Sequence, residues 1–396
     1  MGLTIVVGVA AGPVSSARPL AIGGGTLGQH RGVLAAVAAV LLLTATLAAC
    51  GGSDEGEPAA AASSDAAGDA GCDGPAYGRG PGRTFALPAD CPTTISPTSV
   101  GDLQRAWFFT TDDVVTATPA VHDGTVYVGD WAGVVYAIDA QTGEERWRHQ
   151  TEEHPTVYSG QIVSSAAVAT VGDADLVFVG AGKHLVALDT ASGDEVWAYD
   201  AGSLDEAAGR PEVTAVPEGE RPTEIQSSPV VVDGKVIVGI DAHDRPGFRG
   251  GVVALDAATG DLLWDFDPDG GDTPTGCGGV WDSPSVDLDR GLVFSATANC
   301  PSELEEWPEY AEAIFALDLD TGVPRWRHQP QEPFNPDDYD FAGAPNPFSI
   351  DGVDVVGLGG KGGRYHVLER ETGEPVWDAL AKEPEGERGI NFSFGG

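Results

Sequence analysis

Three groupings in this 396-residue chain could do chemistry on residue type alone. The first is the cysteines. Cys50 stands apart, behind an apolar run. The other four, Cys72, Cys91, Cys277 and Cys300, are an even set, as two disulfides in an exported protein require. Four cysteines allow three pairings, and the economical one is local, Cys72 with Cys91 and Cys277 with Cys300. No Cys-x-x-Cys-His occurs, so no covalent haem is encoded, and no Cys-x-x-Cys pair offers a zinc site. The second grouping is Asp265-Phe266-Asp267-Pro268-Asp269-Gly270-Gly271-Asp272, whose alternating carboxylates open like a calcium-binding loop. Its place twelve is Gly276 instead of glutamate and Pro268 intrudes, so a solvated acidic turn is expected, with calcium as its rival. The third is Lys361 within Gly359-Gly360-Lys361-Gly362-Gly363, where flanking glycines let backbone approach a ligand closely.

The elements that must position these residues are set by a repeat. Val135 to Trp147 (VYAIDAQTGEERW) returns as Leu185 to Trp197, Val252 to Trp264, Ile314 to Trp326 and Tyr365 to Trp377. An acid holds the fifth place, Thr or Ser the eighth, Gly the ninth and Trp the thirteenth. A motif recurring at this spacing means an array of similar units. Apolar alternation before the acid reads as a strand. The Asp139 carboxylate can accept from backbone amides ahead of it and Gly143 can take positive φ, so Asp-x-x-Thr-Gly is a turn. Glu145-Arg146-Trp147 then starts a second strand. Upstream, His122-Asp123-Gly124 links another strand pair through a hairpin turn. Four strands per unit make a propeller blade, whose faces are buried only by stacked neighbours. The expected fold is an all-β propeller. Leu103 to Phe109 reads as an outer strand carrying a sixth docking tryptophan, Trp107, and the acidic, Pro-bearing interval between Trp197 and Ile225 as a long surface loop.

From Ser96 onward this repeat resembles the tryptophan-docking blades of the propellers that bind pyrroloquinoline quinone (PQQ) and of their non-catalytic relatives. Those propellers usually have eight blades. Five full motifs plus Trp107 therefore imply either a chain cut short or a smaller ring, and an incomplete ring of five to six blades is expected. Gly276 to Pro284 and Leu292 to Pro301 are similar to the quinoprotein alcohol dehydrogenase signature. The resemblance makes Trp281 the floor under the PQQ ring and Asn299 a calcium ligand. Pro336-Asp337-Asp338-Tyr339-Asp340-Phe341 resembles the segment whose first aspartate is the general base, which implies Asp337 as the catalytic acceptor of the alcohol proton and as a second residue at the metal. Lys361 matches the family's cation at the quinone carbonyls, a cofactor-binding and catalytic residue that polarises the acceptor. The chain also departs from the family. The glutamate calcium ligand before Gly247-Phe248-Arg249-Gly250 falls at Arg245, with Asp244 one residue away, and the adjacent cysteine pair of some members is absent. Without the resemblance, Trp281 is packing, Asn299 a turn residue, Asp337 a surface acid and Lys361 a loop cation.

Near the N-terminus, Arg31 precedes a largely apolar run of fifteen residues, Val33 to Leu47. That is too short to span a membrane comfortably and suits a signal-peptide core. Leu47-Ala48-Ala49-Cys50 resembles a bacterial lipobox, which implies a lipidated Cys50 anchoring an extracytoplasmic protein to a membrane. Gly51 to Gly71 has no aromatic residue and reads as a disordered tether. The expected organisation is a signal peptide over 1–49, the lipidated cysteine and tether over 50–71, a disulfide-bearing segment over 72–95 and the propeller over 96–396. A net charge of −40 disfavours a nucleic-acid partner. Two functional readings follow. One is a tethered dehydrogenase-like quinoprotein, oxidising an alcohol or sugar hydroxyl with PQQ and calcium and passing electrons to an external acceptor. The other is a non-catalytic propeller lipoprotein serving as scaffold, sensor or envelope assembly factor.

Overall fold

The computed structural model describes residues 72–381 apart from 92, 94, 158, 205–222, 271–274, 302–303, 305–306, 331–339 and 342, together with a two-residue strand at Thr4–Ile5. Twenty strands make five four-stranded antiparallel meanders. The first blade runs through Ala120–His122, Thr125–Gly129, Val134–Asp139 and Glu145–Gln150. The second through fifth blades begin at Ala167–Val171, Val230–Val232, Ser285–Asp287 and Asn346–Ile350, and end at Glu195–Asp200, Leu262–Phe266, Pro324–His328 and Pro375–Leu380. The segment before the first blade, expected as an outer strand, holds a bridge position at Arg105. Only Phe109–Thr110 lies in a ladder, paired with Thr4–Ile5, although Trp107 docks as expected.

The repeat forms the blade and its joint to the next. Asp139 Oδ1 accepts from the amides of Gln141 and Thr142, and Gly143 sits at φ 75°. Glu369 does the same for Glu371 and Thr372 in the fifth copy. The tryptophan closing one blade donates its indole N–H to the carbonyl just after the acid of the following blade. The bonds are Trp107 to Ala140 (2.9 Å), Trp147 to Thr190 (2.8 Å), Trp197 to Ala257 (3.1 Å), Trp264 to Leu319 (3.0 Å) and Trp326 to Arg370 (3.0 Å). Each ring lies flat against the turn glycine, where a Cβ on Gly143, Gly193, Gly260, Gly322 or Gly373 would fall within 2.7 Å of ring atoms. These five tryptophans are 7–9% exposed, whereas Trp377, with no further blade among the described residues, is 40% exposed. Separate apolar layers fill the joints between successive blades.

The first strands of neighbouring blades lie side by side, and a strap formed by Cys72–Phe85 crosses them. The Gly74 and Pro75 carbonyls accept from Val121 and Val168, and that of Pro81 accepts from Val286. Arg83, 1% exposed, donates to the carbonyls of Tyr77 (2.8 Å), Ser228 (2.6 Å) and Pro284 (2.5 Å), while its own carbonyl accepts from the Asn346 amide. A serine ladder runs beside it: Ser165, Ser228 and Ser283 hydroxyls accept from the amides of Thr118, Ser165 and Ser228. Both disulfides take the local pairing, Cys72–Cys91 and Cys277–Cys300. No helix among the described residues is long and apolar enough to cross a membrane.

Candidate functional site

Trp281 and Asn299 are brought together by backbone and by sulfur. Val280 donates to the Ile240 carbonyl, which seats the Gly276–Asp282 run along the third blade. The Ala298 amide donates to Gly279 (2.7 Å), and Cys277–Cys300 bridges the same two segments. Asn299 precedes one half-cystine and Trp281 follows the other by four residues, so neither can drift from the other. Next to Trp281 in sequence, Asp282 is fully buried. One of its oxygens accepts from Ser295 Oγ at 2.5 Å and the other has no hydrogen-bond partner. Burial pushes this carboxyl up to about 8, against the opposing pull of the Ser295 hydrogen bond and the Arg83 charge. Burial lowers Arg83 in turn, to about 10.

Lys361 arrives from the fifth blade. A bridge between Phe341 and Gly360, with the Lys361 amide donating to the Asp340 carbonyl (2.8 Å), sets those two strands of chain side by side. Asp340, 1% exposed, then holds two partners: its Oδ2 accepts from Trp281 Nε1 at 2.9 Å and its Oδ1 pairs with Lys361 Nζ at 2.7 Å. The ammonium lies 4.8 Å from the Trp281 ring centroid, a cation–π contact.

These residues line one cavity of about 560 Å³, with Asp241, His243 and Asp244 also in its wall. Trp281, Asn299 and Lys361 are thus brought together, as expected of a shared site. Asp337 lies outside the described residues, as do Cys50 and most of the Trp197–Ile225 interval. His243 is clamped between buried acids, Nε2 to Glu224 at 3.2 Å and Nδ1 to Asp241 at 3.1 Å. Burial opposes charge on the imidazole. The Glu224 hydrogen bond and the charges of Asp241, Glu224 and Asp244 outweigh it, so its pKa is raised.

The donor set fits a flat anionic quinone in having an indole face, an ammonium and amide and hydroxyl groups. Among the described residues it assembles no carboxylate and histidine cluster for a divalent metal. Glu224 and Asp241 are engaged by His243, and among the described residues no three His, Cys, Asp or Glu side chains are grouped to hold an ion. The Asp265–Asp269 run begins in the strand Leu262–Phe266 and its carboxylates have protein partners: Arg249 pairs with Asp265 and Asp267, and Asp269 accepts from Thr275 and Gly276. Asp340, Glu224 and His243 were not singled out from sequence. Asp340 is hidden among acids in Pro336–Phe341, and the other two are joined only by the fold. The serine ladder had a visible signal, because Ser-Ser recurs before the first strands of the second and third blades and Asp-Ser before that of the fourth.

Residues 76–384 match the family model described as the β-propeller domain of glucose/ethanol/alcohol dehydrogenase, with PQQ as its short name. A quinohemoprotein alcohol dehydrogenase of Pseudomonas putida is 29% identical over 336 residues, 74% of this chain and 46% of that protein. Another, from Comamonas testosteroni, is 29% identical over 324 residues, 71% and 43% of the two chains. The crystal structure of the quinohemoprotein alcohol dehydrogenase from Comamonas testosteroni superposes with a TM-score of 0.62 at 24% identity, covering 81% of this chain and 52% of that one. A europium-containing methanol dehydrogenase gives 0.61 at 22%, covering 81% and 61%. The chain therefore spans about half the length of these relatives.

Proposed function

The chain belongs to the β-propeller domain family of glucose, ethanol and alcohol dehydrogenases, and on that premise we propose that it is a PQQ-binding, dehydrogenase-like protein oxidising an alcohol or sugar hydroxyl. The observation that carries this reading is the convergence of Trp281, Asn299 and Lys361, from two blades, on one cavity. Bound PQQ would supply the two-electron oxidant. Trp281 would give its ring a flat apolar floor, Lys361 would meet its negative charge, and the Asn299 amide would fix its orientation. Asp337 would take the proton of the alcohol. An external acceptor would receive the electrons, and an acylated Cys50 would tether the protein to a membrane outside the cytoplasm.

The test is titration of the purified protein with PQQ, with and without calcium, followed through tryptophan fluorescence. Saturable quenching that weakens at least about tenfold in Trp281→Ala, the loss of over 1 kcal/mol expected of a stacked ring, supports the reading and warrants a substrate screen by dye reduction. A folded, β-rich sample that shows no quenching sinks it. The rival, a non-catalytic propeller scaffold, is favoured by one observation: Glu224, and Asp241 in the cavity wall, are both spent on His243.

A further inference from the structure

We propose that His328 and His366 form a binding site for a divalent d-block cation, copper above all, in the joint between the fourth and fifth blades. The two residues come from opposite sides of that joint. His328 ends the outer strand of the fourth blade, two residues after Trp326, and His366 is the second residue of the fifth repeat, on the third strand of its blade. At earlier joints the same two positions hold packing residues. Between the third and fourth blades they are Phe266 and Phe315, with ring centroids 5.2 Å apart. Between the second and third they are Tyr199 and Val253, in one apolar layer. Here both are imidazoles, with centroids 6.1 Å apart, and Phe341 stands edge-on to His366 at 5.9 Å. His366 is 8% exposed, and among the described residues neither imidazole has a hydrogen-bond partner. Both line a cavity of about 400 Å³. Polar nitrogens set in a slot that rings and aliphatics fill elsewhere, and left without a partner, cost stability. An ion ligated by both removes that cost.

The spacing suits one ion. Imidazole nitrogens bind zinc at about 2.0–2.1 Å, so two rings sharing such an ion have centroids about 5–6.5 Å apart. Burial also keeps both rings in the neutral form that ligates. It pushes His366 down to about 4, with the charges of His328 and Arg364 adding to the effect, and it lowers His328 against the pull of Glu374. The surrounding charge does not repel a cation. Arg364 is paired with Asp378, and Asp378 lies in the cavity wall, directly across the ladder from His366. Two protein ligands leave the remaining positions to water and to that carboxylate. Imidazole suits copper, nickel and zinc, of which Cu2+ binds tightest, whereas calcium and magnesium prefer oxygen. The cavity shares no lining residue with the one around Trp281, so the proposal stands apart from the quinone reading.

The probe is Cu2+, added to the full untagged chain at neutral pH in excess Mg2+, which occupies acidic surface and leaves imidazole alone. Equilibrium dialysis should find one tightly held copper per chain, and its electron paramagnetic resonance spectrum should carry the splitting of two imidazole nitrogens. His328→Phe and His366→Phe return the slot to the Phe266–Phe315 pattern, with circular dichroism to confirm folding. Each should weaken that copper at least about tenfold, the smallest loss known for residues that merely support a ligand, while His122→Asn should leave it unchanged. Folded His328→Phe and His366→Phe proteins that hold copper as the wild type does overturn the proposal. So does a wild-type spectrum without two coupled nitrogens, a result that needs no variant to fold.

Discussion

Replacing Gly322 by alanine isolates the contact that joins one blade to the next. Gly322 lies at φ 69°, and a Cβ built there would be 2.6 Å from Trp264 Cε3 and 2.8 Å from Cδ2. Gly234 provides the control. Its φ is 71°, and nothing lies within 4 Å of its Cβ position. Both substitutions carry the cost of a left-handed backbone, about 1–2 kcal/mol for alanine. Only Gly322→Ala must also push the indole out of a seat where it is 7% exposed and bonded to the Leu319 carbonyl at 3.0 Å. Overpacking adds about 1–3 kcal/mol, and the lost hydrogen bond about 1 kcal/mol. The two variants should therefore differ by about 2–4 kcal/mol. At roughly 2–4 °C per kcal/mol for a domain of this size class, thermal unfolding followed by circular dichroism should place Gly322→Ala about 5–15 °C below Gly234→Ala. Equal midpoints would refute the claim that the indole resting on the turn is what couples the blades.

Two further outcomes follow from the residues that support the cavity, beside the PQQ titration described above. Asp282 is held near 8 in the folded protein against an ordinary value of 3.8. Below that lower value both states are protonated. As pH rises toward 8 the unfolded chain loses its proton while the folded one keeps it, so stability falls by up to about 1.4 kcal/mol per pH unit and levels off above 8. Denaturant midpoints measured across this range should slope downward in the wild type and less steeply in Asp282→Asn. Replacing Cys277 and Cys300 by serine opens a bridge with a sequence separation of 23, which should cost about 3 kcal/mol and weaken PQQ quenching more than the equivalent change at Cys72 and Cys91.

Much of the fold could be read from the sequence because its determinants are local. Asp139, Thr142 and Gly143 form their turn within five residues, and Asp123 and Gly124 take φ 43° and 67° as their hairpin requires. The destination of each indole was less legible, since Trp147 reaches Thr190 across a gap set by the stacking of blades. At the site, Trp281 and Lys361 stood out through aromatic or glycine-flanked context. Asp340 did not, because one acid in an acidic chain acquires meaning only from what the fold places against it. The same holds for Glu224 and His243, 19 positions apart in sequence. For Leu103–Phe109, expected as an outer strand, the described residues show a bridge position at Arg105 and a ladder at Phe109–Thr110, because a strand is legible only together with the neighbour it pairs with.

The strap from Cys72 to Phe85 is made early and used late. Arg83 finds its acceptors at Ser228 and Pro284, 145 and 201 positions downstream, and its carbonyl meets Asn346 at 263. Contacts of that span form only after the intervening chain is organised, because closing such loops costs entropy before any bond is gained. Until then the guanidinium keeps its water. A chain in which one blade has slipped register or failed to form offers it no complete set of carbonyls, and burying the charge there would leave donors unmatched. The strap therefore acts as a check on assembly order: it seals blades that are all in place and stays open over a set that is not.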